Sequence, residues 1–226
     1  MDQISPDISP AISLAISPYT LRGLRELGAA TVHEAQGGKG ALDSGMKPID
    51  AAMRVAGPAF TVDARPADNL MLHYAMLKAR PGDVLVVDAK GFLEAGVWGD
   101  VFTEQAMKMG LAGLVINGAV RDASAIIAAG FPVFARGLSI KGTGKHQPGR
   151  INVPVIIGDV QIRPGDIVIG DQDGLVVVAR EEADAVLAAG RAREEKEAAY
   201  REQIRNGATT VDLLDLAETL QRLNLR

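Results

Sequence analysis

Apolar and polar positions along this chain fall into short blocks whose period switches between helix and strand. Residues 18–36 carry leucines at 21, 24 and 27 on one face, the spacing of an amphipathic helix. Thr31 is placed to cap a short second helix over residues 32–36. Residues 54–64 read as a strand with a Gly-Pro irregularity, and 69–79 as a helix with apolar positions 70, 71, 74, 75 and 77. Short apolar runs at 84–87, 111–116 and 132–135 read as buried strands. The helices 103–109 and 123–129 lie between them, the second stopped by Gly130. Residues 136–155 form a long, polar, glycine-rich stretch of the kind that usually carries function. A hairpin over 154–162 follows, then strands 167–169 and 175–178 joined by an Asp171–Gly174 turn. One long charged helix over 181–205 and an amphipathic helix over 210–223 close the chain. The pattern is a β-rich core with outer helices, an α/β domain without strict βαβ alternation. Two Pro-Gly-Asp turns, at 81–83 and 164–166, each precede a Val/Ile-rich strand and hint at two similar β-halves.

Composition narrows the class. The 226 residues, 47% hydrophobic and 23% charged, suit one well-buried globular domain. A formal net charge of −4 argues against nucleic acid or an anionic membrane as main partner. The chain has no cysteine, which removes disulfides, thiolate zinc sites and cysteine nucleophiles and fits a cytosolic protein. Residues 1–17, interrupted by Pro6 and Pro10, read as a flexible lead-in and not a secretory signal; residues 18–226 read as the single domain. No apolar stretch is long enough to span a membrane. P-loop, dinucleotide-fold and nucleophile-elbow motifs are missing.

The most informative spacing is Asp100, twenty intervening residues, then Arg121-Asp122. Asp100 follows Gly99 at a helix start; Arg121-Asp122 follows a buried strand and the turn-like Asn117-Gly118. Two carboxylates without thiols suit a hard cation such as Mg²⁺ or Mn²⁺. An adjacent arginine suits a carboxylate or keto acid, and strand ends are where ligands gather in open α/β folds. The free N–H groups of a helix opened by Gly99, Asp100, Val101 and Phe102 would hold an anion. Plainer roles compete: Asp100 as an N-cap, Asp122 as cap of the next helix, Lys145-His146 as a solvated basic loop, and Glu194, Glu195 and Glu197 as a solvated face paired with residues such as Arg193. An Arg121–Asp122 ion pair is disfavoured, because adjacent side chains rarely face each other.

The blocks RPADNL (65–70), PGDVLVVD (81–88), GD…NGAVRD (99–122), ARGLSIKGTGK (135–145), PGDIVIGDQDGLVVV (164–178) and REEKEA (193–198) together resemble the RraA-like family. That family holds regulators of a ribonuclease and divalent-metal pyruvate aldolases. The resemblance implies a swivelling β/β/α domain assembled as homotrimers or homohexamers. Because Asp100 is present, it also implies an aldolase acting on 4-carboxy-4-hydroxy-2-oxoadipate or 4-hydroxy-4-methyl-2-oxoglutarate, with Mg²⁺, Mn²⁺ or Co²⁺. By the same resemblance Asp122 binds the metal, and Asp100 does so through water. Glu197 of a neighbouring subunit also acts through water. Arg121 binds the keto oxygen, and the Val101 and Phe102 amides beside Gly99 hold the pyruvyl carboxylate. Asn69 joins the substrate site, and Lys145, read as part of a lid in the glycine-rich loop, would supply positive charge to a second substrate carboxylate and so favour a substrate with an extra carboxylate. A non-catalytic regulator docking on a ribonuclease and a dedicated oxaloacetate decarboxylase are the alternatives.

Overall fold

The computed structural model describes residues 16–225. Helix α1 (Pro18–Ala35) opens with Pro18 at its first position and is capped by Ser17, whose Oγ accepts from Thr20 N–H at 3.0 Å. The lead-in expected over 1–17 otherwise lies outside the described residues. The break expected at Thr31 falls instead at Gly28, with φ 78°. The carboxylate of Asp171 accepts from Ala29 N–H at 2.8 Å and so restarts the helix beyond the kink.

Strands β1 (Lys47–Pro48) and β2 (Val55–Asp63) precede α2 (Leu70–Ala75). That helix is shorter than its apolar spacing suggests, and residues 76–78 beyond it form a turn. Strand β3 (Val84–Gly96) is much longer than the apolar run 84–87. Register shifts against β4 after Asp88 and Phe92 let it continue past the buried stretch. Then come α3 (Asp100–Met109), β4 (Gly113–Val120), α4 (Ala123–Ala129), β5 (Val133–Leu138), β6 (Arg150–Ile151), the β7 (Val155–Ile157) and β8 (Val160–Ile162) hairpin, β9 (Ile167–Gly170) and β10 (Leu175–Val178). Asn117-Gly118, read as a turn, belongs to β4, which is buried along its whole length. After a 3₁₀ turn the long helix α5 (Ala183–Arg205) matches expectation. The helix expected over 210–223 is split into α6 (Thr210–Leu213) and α7 (Ala217–Arg222), with Asp215 at φ 52° between them.

The main sheet has the order β1-β5-β4-β3-β2-β9-β10, with β6 also on β2. Strands β2, β3, β4 and β5 are mutually parallel, and the two central ones, β3 over residues 84–89 and β4 throughout, are buried on both faces, which explains their continuous apolar runs. One core contains Val86, Leu114, Ile116, Trp98 and Phe134. The second packs α1 and α5 on β9 and β10 through Leu24, Leu27, Ile167, Val176 and Leu187. The two Pro-Gly-Asp turns close alike: Arg80 N–H donates to Asp83 at 2.8 Å and Arg163 N–H to Asp166 at 2.7 Å. They do not mark two equivalent halves, because β3 runs parallel to β2 and β9 antiparallel to it. Among the described residues no helix is long and apolar enough to cross a membrane.

Candidate active site at the ends of the parallel strands

The apolar run of β4 ends at Val120, and two backbone bonds tie that end to the segment leaving β3. Val97 N–H donates to Ala119 O at 3.1 Å and Arg121 N–H to Trp98 O at 2.8 Å. This pairing sets Gly99, the N-cap of α3, beside Arg121 and Asp122. Trp98 fixes the corner. It is fully buried, stacks on Phe102 at 4.9 Å and Phe131 at 6.2 Å, and donates its indole N–H to Thr103 Oγ1 at 2.8 Å.

Asp122 occupies the N-cap position of α4 in a left-handed conformation (φ 58°, ψ 34°) and makes no side-chain cap there. Its carboxylate turns back to α3 instead, where Oδ2 lies 3.4 Å from Asp100 N. The same backbone twist lets Arg121 Nε donate to Asp122 Oδ2 at 3.1 Å. The pair disfavoured by sequence adjacency therefore forms, since the rule against neighbours holds for regular backbone and not for a left-handed residue. Asp100 is the first residue of α3 and not its cap; its Oδ1 accepts from Val101 N–H at 2.8 Å. A Cβ on Gly99 would collide with Asp122 Oδ2 and meet Arg121 Cγ at 3.3 Å, so the site needs glycine for room. Arg121 and Asp122, with Ala123, Leu138, Ser139 and Ile140, line an open cleft.

Asn69 caps the start of α2 by position and is buried. Its Nδ2 donates to Val97 O at 3.2 Å, which ties α2 to the same corner, and its buried Oδ1 has no hydrogen-bond partner among the described residues. His73, one turn on, packs against Phe102 at 4.5 Å between ring centroids. Burial, and then the charge of Lys145, hold the His73 ring below its ordinary pKa. The structure thus brings Asp100, Val101, Phe102, Arg121 and Asp122 together, with Asn69 and Lys145 on adjoining elements. Glu197 lies apart on α5, bonded to Arg193 at 3.0 Å and Arg201 at 3.3 Å, the i,i+4 pairing its spacing suggests. Among the described residues no group of three or more His, Asp or Glu side chains could hold a metal. Asp100 and Asp122 offer two hard oxygen donors. Their chemistry suits a divalent cation.

Two features escaped the sequence reading. Asp68 is a buried carboxylate bonded to the glycine-rich loop. A polar row also crosses the sheet just below the site: Asp63, Asp88 and Asn117 are register partners on β2, β3 and β4. Lys90 joins Asp63 to Asp88 at 2.5 Å each, Asn117 Nδ2 donates to Asp88 at 2.8 Å, and Arg136 links Asn117 to Asp43. The signal was present, since each of the three apolar strand runs ends in an acid or amide: FTVD, VLVVD and LVIN.

The profile of the RraA-like family (Aldolase/RraA) matches residues 29–177. The chain belongs to the RraA-like family. It is 41% identical over 163 residues to a Halalkalibacterium halodurans protein named "Putative 4-hydroxy-4-methyl-2-oxoglutarate aldolase", covering 72% of this chain and 78% of that one. An RraA-like fold is also seen in solved structures. An uncharacterised Pseudomonas syringae pv. tomato protein superposes with TM-score 0.76 at 30% identity, over 86% of this chain and 96% of its own. Streptomyces coelicolor RraAS2, described as an unusual member of the RNase ES inhibitor RraA family, superposes with TM-score 0.73 at 30% identity, over 83% and 98%.

Proposed function

We propose that this RraA-like protein is a divalent-metal-dependent lyase that cleaves 4-carboxy-4-hydroxy-2-oxoadipate or 4-hydroxy-4-methyl-2-oxoglutarate by a retro-aldol reaction. The observation that carries the reading is the convergence of Asp122, Asp100 and Arg121 on the N-terminus of α3. The relative's printed aldolase name supports the same reaction class.

Each residue has a distinct task. Asp122 would hold the cation directly, and Asp100, with Glu197 of a neighbouring subunit in a trimer or hexamer, would hold it through water. When bound, Mg²⁺, Mn²⁺ or Co²⁺ supplies a Lewis acid at the substrate's keto acid end. Arg121 leaves Asp122 to donate to the C2 keto oxygen. The Val101 and Phe102 amides take the pyruvyl carboxylate, displacing the Val101–Asp100 bond. Asn69 Oδ1, without a partner of its own, accepts from a substrate hydroxyl. The C4 hydroxyl proton passes to a water beside Asp100 and Asp122. The C3–C4 bond breaks, C4 becomes a carbonyl, and its electron pair moves into the C2 enolate that Arg121 stabilises. Water then protonates C3, giving pyruvate and either oxaloacetate or a second pyruvate. Loss of CO₂ from oxaloacetate passes through the same enolate, so oxaloacetate decarboxylation is an expected side activity.

The solved RNase ES inhibitor relative favours one other reading, a non-catalytic regulator that binds a ribonuclease. Rates of cleavage of both aldol substrates, of oxaloacetate decarboxylation, and ribonuclease binding, measured on one preparation, separate the readings. Aldol cleavage faster than decarboxylation supports the proposal. Decarboxylation alone makes the protein a decarboxylase. Ribonuclease binding without turnover makes it a regulator.

A further inference from the structure

The buried carboxylate of Asp68 ties two parts of the molecule together. Its Oδ1 accepts from Leu70 N–H at 3.0 Å, the opening of α2. Its Oδ2 accepts from His146 N–H at 2.8 Å and Gln147 N–H at 3.2 Å, on the glycine-rich loop. Backbone bonds run beside it: Asn69 N–H to Gly144 O at 3.1 Å and Gly144 N–H to Ala67 O at 2.8 Å. Gly144 is held so close that an added Cβ would sit 2.9 Å from Asp68 Oδ2. Lys145 stands in the middle of this latch, between Gly144, whose O accepts from Asn69 N–H, and His146, while Asn69 Nδ2 reaches Val97 O on the segment that leads into α3. A loop of glycine and polar residues has no core of its own to order it; here one carboxylate with three N–H donors does so.

We propose that Asp68 is a positioning residue that fixes Lys145 to receive the additional carboxylate of a tricarboxylate substrate, and so sets the preference for 4-carboxy-4-hydroxy-2-oxoadipate over 4-hydroxy-4-methyl-2-oxoglutarate. The inference rests on the aldolase reading. The two substrates differ at C4 by one carboxymethyl against one methyl group, so a correctly placed ammonium separates them, whereas a general loss of catalysis does not. The sign also discriminates. If Asp68 acted only by its charge, its removal would strengthen binding of the more anionic substrate. If it acts as the latch, its removal weakens that binding.

The test compares kcat/KM for both substrates in wild type, Asp68→Ala, Gly144→Ala, Lys145→Ala and Asp68→Ala with Lys145→Ala together. Amide hydrogen exchange is followed at residues 144–147. Gly144→Ala attacks the latch from the loop side and leaves the carboxylate in place, should Asp68→Ala fold poorly. We expect the tricarboxylate preference to fall about tenfold in each single variant, chiefly through KM, as for a lost charge-assisted contact. Asp68→Ala adds nothing once Lys145 is gone, and protection at His146 and Gln147 disappears. An unchanged preference, an equal loss on both substrates, effects that multiply in the double variant, or retained protection in Asp68→Ala would each overturn the inference. Wild type that cleaves neither substrate overturns the aldolase reading, and the preference with it; the exchange result then reports on the latch alone.

Discussion

The carboxylate of Asp122 fills the space in which a side chain on Gly99 would begin. Gly99 has an extended backbone (φ −150°, ψ −165°) that any residue can adopt, so glycine is required there only by the carboxylate. Gly99→Ala should therefore fold with near-native stability and displace Asp122 and Arg121. We expect kcat/KM to fall by about a hundredfold with Tm nearly unchanged, measured by coupled pyruvate release and thermal denaturation.

Asp100 and Asp122 should separate by their distance from the cation. Asp122→Asn removes a direct ligand charge and should abolish metal-dependent turnover. Asp100→Asn should weaken Mn²⁺ binding about tenfold to a hundredfold while leaving a measurable site. Calorimetric titration of Mn²⁺ into each variant checks this; equal loss in both would mean equal roles.

Asp171 restarts α1 beyond Gly28 by accepting from Ala29 N–H, and Arg54 lies 3.7 Å from the same oxygen. Asp171→Ala should cost about 1–2 kcal/mol, as for loss of a helix cap, and lower Tm by about 2–8 °C. Turnover per folded molecule should not change, and chemical denaturation with steady-state assay of the same sample measures both.

Two acids, the buried Asp68 and the half-buried Asp83, act on acid stability in opposite directions. Burial raises the Asp68 pKa, but the N–H groups of His146, Leu70 and Gln147 outweigh it and hold the carboxyl below its usual range. Its stabilisation is complete above the unfolded value of about 3.9 and disappears as pH falls through the lower folded value. For Asp83, burial outweighs the Arg80 N–H bond and raises the pKa. Its ionised form costs stability at neutral pH, and that cost is relieved as pH falls through the raised folded value toward 3.9. Asp83→Asn, which keeps an acceptor for Arg80, should stabilise the protein at pH 7 and give no gain at pH 3. Asp68→Ala should destabilise at pH 7 and flatten the acid limb. Urea denaturation across this range reads both signs.

Much of the frame was legible because local rules set it. The apolar run of β4, the stop at Gly130 and the Asp171–Gly174 turn each depend on neighbours in sequence, and each appears in the structure. So does the meeting of Asp100 with Arg121-Asp122, which follows from a helix start and a strand end lying side by side. What escaped depends on distant partners or on rare backbone conformations. The kink in α1 is stabilised by Asp171, far along the chain. The helix after residue 210 breaks at the left-handed Asp215, and the Arg121–Asp122 pair arises from the left-handed Asp122. Asp68 acts through Gly144 and His146, which are far along the chain and reach it only in the fold.

The central claim is a metal-dependent aldol site built around Asp122. The most direct measurement is pyruvate release from 4-carboxy-4-hydroxy-2-oxoadipate, followed with lactate dehydrogenase, with Mg²⁺, then with excess EDTA, and in Asp122→Ala. The account predicts turnover with Mg²⁺ that EDTA abolishes and the variant lacks. Turnover unaffected by EDTA, full activity in Asp122→Ala, or no turnover in wild type with Mg²⁺, Mn²⁺ or Co²⁺ would contradict it.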